Sequence, residues 1–233
     1  MISNSLLACL LATAVLFTSS TTGRPLWPNT TLPADCTSTA AVAACQTIYP
    51  SEYRIMNSRY PAYDQSPLHN QKQFFMLLRQ RADTFQVTSQ VQFYTPNSPN
   101  STAPSSLNLN ATCKLQLQLP AHDMENLLGP EPIFNLYQVE REAGVPVNWN
   151  TYERGHNESL AVFGQVNGTL EAQAGARNET GGLLEIGETA CNETLTWQMG
   201  MAFDGGQEVN CWDFINVEPP FNPVQGFRVV TGC

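Results

Sequence analysis

Three stretches of the chain alternate strictly between side chains of opposite character. Val87, Ser89, Val91 and Phe93 interleave with Thr88, Gln90, Gln92 and Tyr94, and Cys113, Leu115, Leu117 and Leu119 with Lys114, Gln116 and Gln118. Trp197, Met199, Met201 and Phe203 interleave with Gln198, Gly200 and Ala202. Successive side chains of a strand point to opposite faces, so each stretch predicts a strand with one buried and one wet face. Weaker strand patterns cover residues 73–79, 133–139, 160–166, 183–186, 209–217 and 226–231. Turn signals separate them, among them Asn167-Gly168, Gly181-Gly182, Gly205-Gly206 and the prolines between 219 and 223. No long stretch carries the period of an amphipathic helix. Short strands between regular turns predict an all-β, antiparallel β-sandwich of jelly-roll type over residues 71–233.

The Gly205-Gly206 pair predicts a two-residue hairpin that pairs Asp204 with Gln207. This register sets Met199 opposite Trp212 and Trp197 opposite Phe214, gathering four large apolar side chains on one face. It also separates Cys191 from Cys211 by roughly 30 Å along a straight strand, which disfavours a bridge between them.

Residues 24–70 read differently. Pro25, Pro28, Pro33, Pro50 and Pro61 interrupt them, and they are expected to form an irregular N-terminal lead. Residues 1–23 contain no charged side chain, and an apolar run over 6–17 is followed by small polar residues, the layout of a secretory signal peptide. The run is shorter than the roughly 20 residues of a membrane span, and the tail 227–233 is too short for a glycolipid-anchor signal, so no membrane attachment is expected.

Composition agrees with export. Acceptor triplets for N-glycosylation occur at Asn29, Asn100, Asn110, Asn157, Asn167, Asn178 and Asn192, and their glycans are expected on exposed turns at strand ends. Once Cys9 leaves with the signal, Cys36, Cys45, Cys113, Cys191, Cys211 and Cys233 remain, an even set that reads as disulfides in an oxidising compartment. Cys36 and Cys45 are expected to close a local loop. Cys113, Cys191 and Cys233 fall in the core-facing phase, which predicts buried sulfur joining the Leu115 strand to a late strand. With 42% hydrophobic and 13% charged residues the chain can bury a core and is not globally disordered. Its net charge of −9, with 11 Lys and Arg against 20 Asp and Glu, argues against non-specific nucleic-acid binding.

One family resemblance emerges from the strands. Cys113-Lys114-Leu115-Gln116-Leu117-Gln118-Leu119-Pro120 resembles the C-x-L-x-F-x-L-P strand of a fungal domain family named after the C-terminal domain of "ubiquitin 3 binding protein But-two". A strand at 133–139, a loop near Trp149, Cys191 opening a strand and Pro223-Val224-Gln225-Gly226-Phe227 follow in the order that family shows. The resemblance covers residues 74–233 and implies a secreted fungal β-sandwich without established catalytic residues. The cytosolic partner in the family's name does not fit a chain with a signal segment and seven glycan acceptors.

Candidate chemistry is sparse. The three histidines, His69, His122 and His156, fall in connections, and no Gly-x-Ser-x-Gly elbow accompanies them, so solvated loop side chains are expected. Glu140 and Glu142 have the spacing of a carboxylate pair on one strand face but stand where a strand runs into a loop; Glu185 and Glu188 are expected on different faces. The Asp204–Glu208 segment resembles a Ca²⁺ loop only faintly, and neither a metal nor another cofactor is expected. Aromatics remain. Trp197 and Trp212 belong to the predicted core, whereas Trp149, flanked by Asn148, Asn150 and Tyr152, is either a sugar-stacking platform or a plug at one end of the sandwich. The reading is a secreted, non-catalytic glycoprotein with a binding or structural role. Its partner is an extracellular glycan or protein, with Trp149 and Tyr152 as candidate contacts and a glycan- or wall-binding module or a glycoside hydrolase as rivals.

Overall fold

The computed structural model describes residues 45–63, 73–80, 85–94, 111–152, 161–202 and 208–232. Two compact units divide the chain between Ala44 and Cys45. The first, with the expected signal segment, Asn29 and Cys36, lies outside the described residues. The second is an all-β antiparallel sandwich.

Its strands are β1 (Gln46–Ile48), β2 (Glu52–Asn57), β3 (Phe74–Arg79), β4 (Gln86–Tyr94), β5 (Thr112–Gln118) and β6 (Glu125–Leu128). The chain continues through β7 (Ile133–Val139), β8 (Gly164–Asn167), helix α1 (Leu170–Thr180), β9 (Leu183–Ala190), β10 (Thr194–Met201), β11 (Asn210–Ile215) and β12 (Gly226–Thr231). The smaller sheet runs β1-β12-β5-β9. The larger runs β6-β11-β3-β4-β10-β7-β8, with β2 added to β4, and curls into a half-barrel. Leu115, Leu117, Phe227 and Val229 of the smaller sheet meet Phe75, Trp197 and Trp212 of the larger in one core. The sandwich therefore starts at β1, inside what reads as an irregular lead. Tyr53 of β2 belongs to this core, and Ile48 of β1 packs against it.

The larger sheet turns at β4. One edge of β4 pairs with β2; the other pairs with β10 along residues 89–94 and with β3 at 86 and 87. Where β3 and β10 diverge, the buried Ser89 hydroxyl donates to Met76 O at 2.7 Å and accepts from Met76 N at 3.1 Å. A side chain thus satisfies backbone groups at a point where the strand ladder leaves them without partners.

The predicted hairpin register is corrected. Phe203 to Gln207 lie outside the described residues, but the flanking strands do not pair: β10 lies between β4 and β7, and β11 between β3 and β6. Trp197, Met199, Trp212 and Phe214 nevertheless all reach the core, each at most 1% exposed. Alternation dictates which face a residue takes, and any partner strand with the same phase satisfies it.

Helix α1 is a second departure. Thr169 caps its start, accepting from Ala172 N at 3.3 Å, and Gly181 ends it in the left-handed conformation at φ 65°. Gln173 is its one buried residue, so the segment lacks the apolar stripe that pattern reading seeks.

The sulfur chemistry follows the expected phase. Cys113 on β5 is bonded to Cys191, just before β10, with Cα atoms 5.0 Å apart. Cys45 is also disulfide-bonded; Cys36, its expected partner, and Cys233 lie outside the described residues. Cys211, expected among the bridged cysteines, is instead a buried thiol that donates to Asp213 Oδ2 at 3.7 Å. Its neighbours in register are Leu78 and Leu128, which offer no sulfur.

Tyr53 ties β2 to the segment after β11, its hydroxyl donating to Asn216 Oδ1 at 2.7 Å. Asn216 in turn leaves no room at Gly226, where a Cβ would lie 1.9 Å from Asn216 Oδ1 and the backbone φ is +99°. Burial is the main force pushing the Tyr53 phenol well above its ordinary value of 10.0. A raised folded-state pKa contributes stability that is complete below the unfolded value and declines as pH rises from there toward the folded one. The melting temperature should therefore hold to about pH 9 and fall above pH 10. In Tyr53→Phe the alkaline fall should be shallower, with the residual slope from Lys114, whose pKa is raised chiefly by its hydrogen bond with Glu188. An unchanged alkaline slope in Tyr53→Phe would remove the phenol from the account.

Candidate functional site

The polar faces of β4 and β10 were expected to be wet and are largely buried. Arg54, Gln90, Gln198 and Tyr137 form one row across β2, β4, β10 and β7; Glu52, Gln92 and Thr196 form the next. Gln90, Gln92, Thr196 and Gln198 are each at most 2% exposed. Buried amides need partners. Gln198 Nε2 donates to Gln90 Oε1 at 3.4 Å, and Gln92 Nε2 lies 3.0 Å from Thr196 Oγ1.

The loop over residues 140–152 supplies further partners. The carbonyls of Arg141 and Glu142 accept from Gln92 Nε2 at 3.3 Å, so the loop begins above that row. The Arg141 guanidinium donates to Pro146 O at 3.0 Å, and burial, then the like charge of Arg54, holds its pKa below the usual value. Farther along, Val147 and Tyr152 pack on Met56 of β2 in a cluster separate from the main core.

Trp149 lies in a helical turn over residues 149–152. Asn148 Oδ1 accepts from Thr151 N at 3.2 Å while Thr151 Oγ1 accepts from Asn148 N at 3.0 Å, a reciprocal cap. The Trp149 ring is half-buried, packs against that satellite cluster, and lies 5.2 Å from the Tyr152 ring. Tyr152, a candidate ligand contact by sequence, is 3% exposed and tilts against the Trp149 ring.

Two aromatic rings that sequence reasoning missed complete the site. The turn after β2 runs through residues 58–63, with Tyr60 N donating to Asn57 O and Tyr63 N to Tyr60 O at 3.1 and 3.0 Å. Tyr60 is 57% and Tyr63 50% exposed. The Trp149 turn is fastened to this one: Asn150 N donates to Pro61 O at 3.0 Å and Asn148 Nδ2 to Ala62 O at 3.4 Å. The available signal was Tyr-Pro-Ala-Tyr itself, two aromatics in a proline turn with no alternation to bury them. Two exposed phenols, a half-buried indole and the exposed amide of Asn150 thus share one end of the sandwich, an arrangement suited to stacking on flat rings and hydrogen-bonding their hydroxyls.

A second polar cluster surrounds Glu125, whose side chain is 3% exposed. Its carboxylate accepts from Trp212 Nε1 at 2.7 Å and Gln173 Nε2 at 3.4 Å, and pairs with Arg177 at 3.2 Å. His122, expected as a solvated loop side chain, is exposed but places Nδ1 3.5 Å from Glu125 Oε1 and Nε2 3.2 Å from Arg177 Nη1. A guanidinium occupies the nitrogen a catalytic base would turn to a nucleophile, so the group clamps α1 to β6 and β11.

The remaining candidates are dispersed. Glu140 and Glu142 are exposed beyond the end of β7, as expected. Glu185 and Glu188 were expected on opposite faces, but a bulge in β9 sets Glu185 opposite Gln116 and Glu188 opposite Lys114, which places both on one face. Lys114 pairs with Glu188 at 3.0 Å, and Gln116 lies 3.4 Å from Glu185. His69, His156, Asp204 and the acceptors Asn100, Asn110 and Asn157 lie outside the described residues. Asn167 at the end of β8, Asn178 and Asn192 are exposed; Asn178 sits in α1, not at a strand end. No family model and no curated protein matches the chain.

Proposed function

We propose that the chain is a secreted, N-glycosylated, non-catalytic β-sandwich that binds extracellular polysaccharide through Tyr60 and Tyr63, with the Trp149 turn bracing theirs. The observation that carries this reading is the pair of exposed tyrosines on a turn braced by the Trp149 turn. Aromatic rings left in water on a hydrogen-bonded turn add nothing to the core, and they keep little conformational freedom to lose on binding. Export is supported by the uncharged apolar segment at the N-terminus, by the buried Cys113–Cys191 bridge and by the exposure of three glycan acceptors. The likeness to the fungal But-two C-terminal family adds a secreted sandwich as the class to which such a module would belong.

Expressed in a eukaryotic host, the full chain should reach the medium shortened by about 20 residues and should shrink on deglycosylation. Mixed with insoluble polysaccharide, the secreted protein should leave the supernatant. Tyr60→Ala/Tyr63→Ala should remain there, with affinity at least about tenfold weaker and an unchanged melting temperature. Cytosolic retention of an unprocessed chain would refute the export reading, and equal depletion of the double variant would refute the site.

A further inference from the structure

Building on the glycan-binding reading, we infer that the ligand is an uncharged polysaccharide of equatorially substituted pyranose units, the chemistry shared by β-glucans and chitin. Charge excludes the acidic alternative first. The chain carries −9, and a polyuronate or sulfated polymer would approach against that field. Opposing it would take cations aimed outward from the site, and among the described residues Arg59 and Arg141 each have a partner. Arg59 lies over the Phe85 ring at 4.8 Å from its centroid. Arg141 donates to Pro146 O at 3.0 Å.

The shape of the contact selects the sugar. The Tyr63 N to Tyr60 O hydrogen bond closes a turn that keeps the two Cα atoms within about 7 Å, a spacing suited to successive units of one chain. A pyranose whose hydroxyls are all equatorial presents only C–H groups above and below its ring, so a phenol face covers it without burying a hydroxyl. An axial hydroxyl would be pressed against the ring and lose its water, which costs free energy. Asn150 is exposed on the turn bonded to Pro61 O, and its amide is the polar group within reach of equatorial hydroxyls in this reading.

The test uses the secreted full chain with cellulose and chitin as uncharged equatorial polymers, polygalacturonate as the acidic one and a galactan as the neutral axial one. The expected result is retention on cellulose or chitin that persists in about 1 M salt, where screening leaves little charge attraction, is at least tenfold weaker on the other two, and is lost in Tyr60→Ala/Tyr63→Ala. Tyrosine-dependent retention on polygalacturonate that salt abolishes, or on galactan as strong as on cellulose, would overturn the ligand class and leave glycan binding standing. Retention on none of the four, or retention indifferent to the tyrosines, would overturn both.

Discussion

Trp212→Ala should be the most damaging single substitution in the domain. Its indole is fully buried, meets Phe75 at 6.4 Å and Phe134 at 5.7 Å, and lies beside Phe214 at 5.9 Å, all edge to face. Truncation to Ala leaves a cavity that costs about 3–5 kcal/mol. A second loss adds to it, because Trp212 Nε1–H is the 2.7 Å donor to a Glu125 carboxylate that is 3% exposed. Weakening the partners of a buried carboxylate costs about 1–3 kcal/mol more. Together these approach the whole stability of an ordinary domain, about 5–15 kcal/mol, so the variant should fail to accumulate as folded protein. Trp212→Phe separates the two terms: it keeps most of the volume, loses the donor, and should fold with a lowered urea midpoint. A Trp212→Ala protein within about 1 kcal/mol of wild type would mean that the aromatic cluster closes over the gap.

Removing the Cys113–Cys191 bridge should have a comparable effect by a different route. The two cysteines are 78 residues apart, and in the chain-entropy model a loop of that length restricts the unfolded state by about 4.5 kcal/mol. Cys113→Ala/Cys191→Ala should therefore lower the unfolding free energy by several kcal/mol, as should reduction of the wild-type protein. The native packing around β5 and β12 should survive at low temperature, since the penalty falls mainly on the unfolded chain. Denaturant unfolding with and without reductant measures this, and coincident midpoints would show that the bridge contributes little.

The candidate site was legible in part. Trp149 between two amides stood out by composition, and the structure places it at one end of the sandwich. Tyr152 had the same sequence signature but is buried, because the 149–152 turn directs it onto Met56. Tyr60 and Tyr63 carried no periodic signal, and their relation to Trp149 depends on two hydrogen bonds between turns nearly ninety residues apart.

What the sequence by itself determined is what local chemistry controls. Alternation around Val91, Leu117 and Trp197 decided which side chains enter the core, since a strand cannot turn alternate residues inward without turning the others out. Phase also placed Cys113 and Cys191 in the core, where they are joined. Helix α1 was available through Thr169 and Gly181, whose capping conformations are local, although its burial pattern was silent. Only the tertiary structure decided which strands pair, because every partner of the right phase buries Trp212 equally well and the choice of β3 over β10 depends on distant chain segments. It alone decided that Gln90, Gln92 and Gln198 are covered: a polar face reads as wet until another segment supplies its hydrogen bonds, and here the carbonyls of Arg141 and Glu142 do so for Gln92. Glu185 and Glu188 follow the same rule, since one extra residue in β9 reverses the phase from which their faces were read.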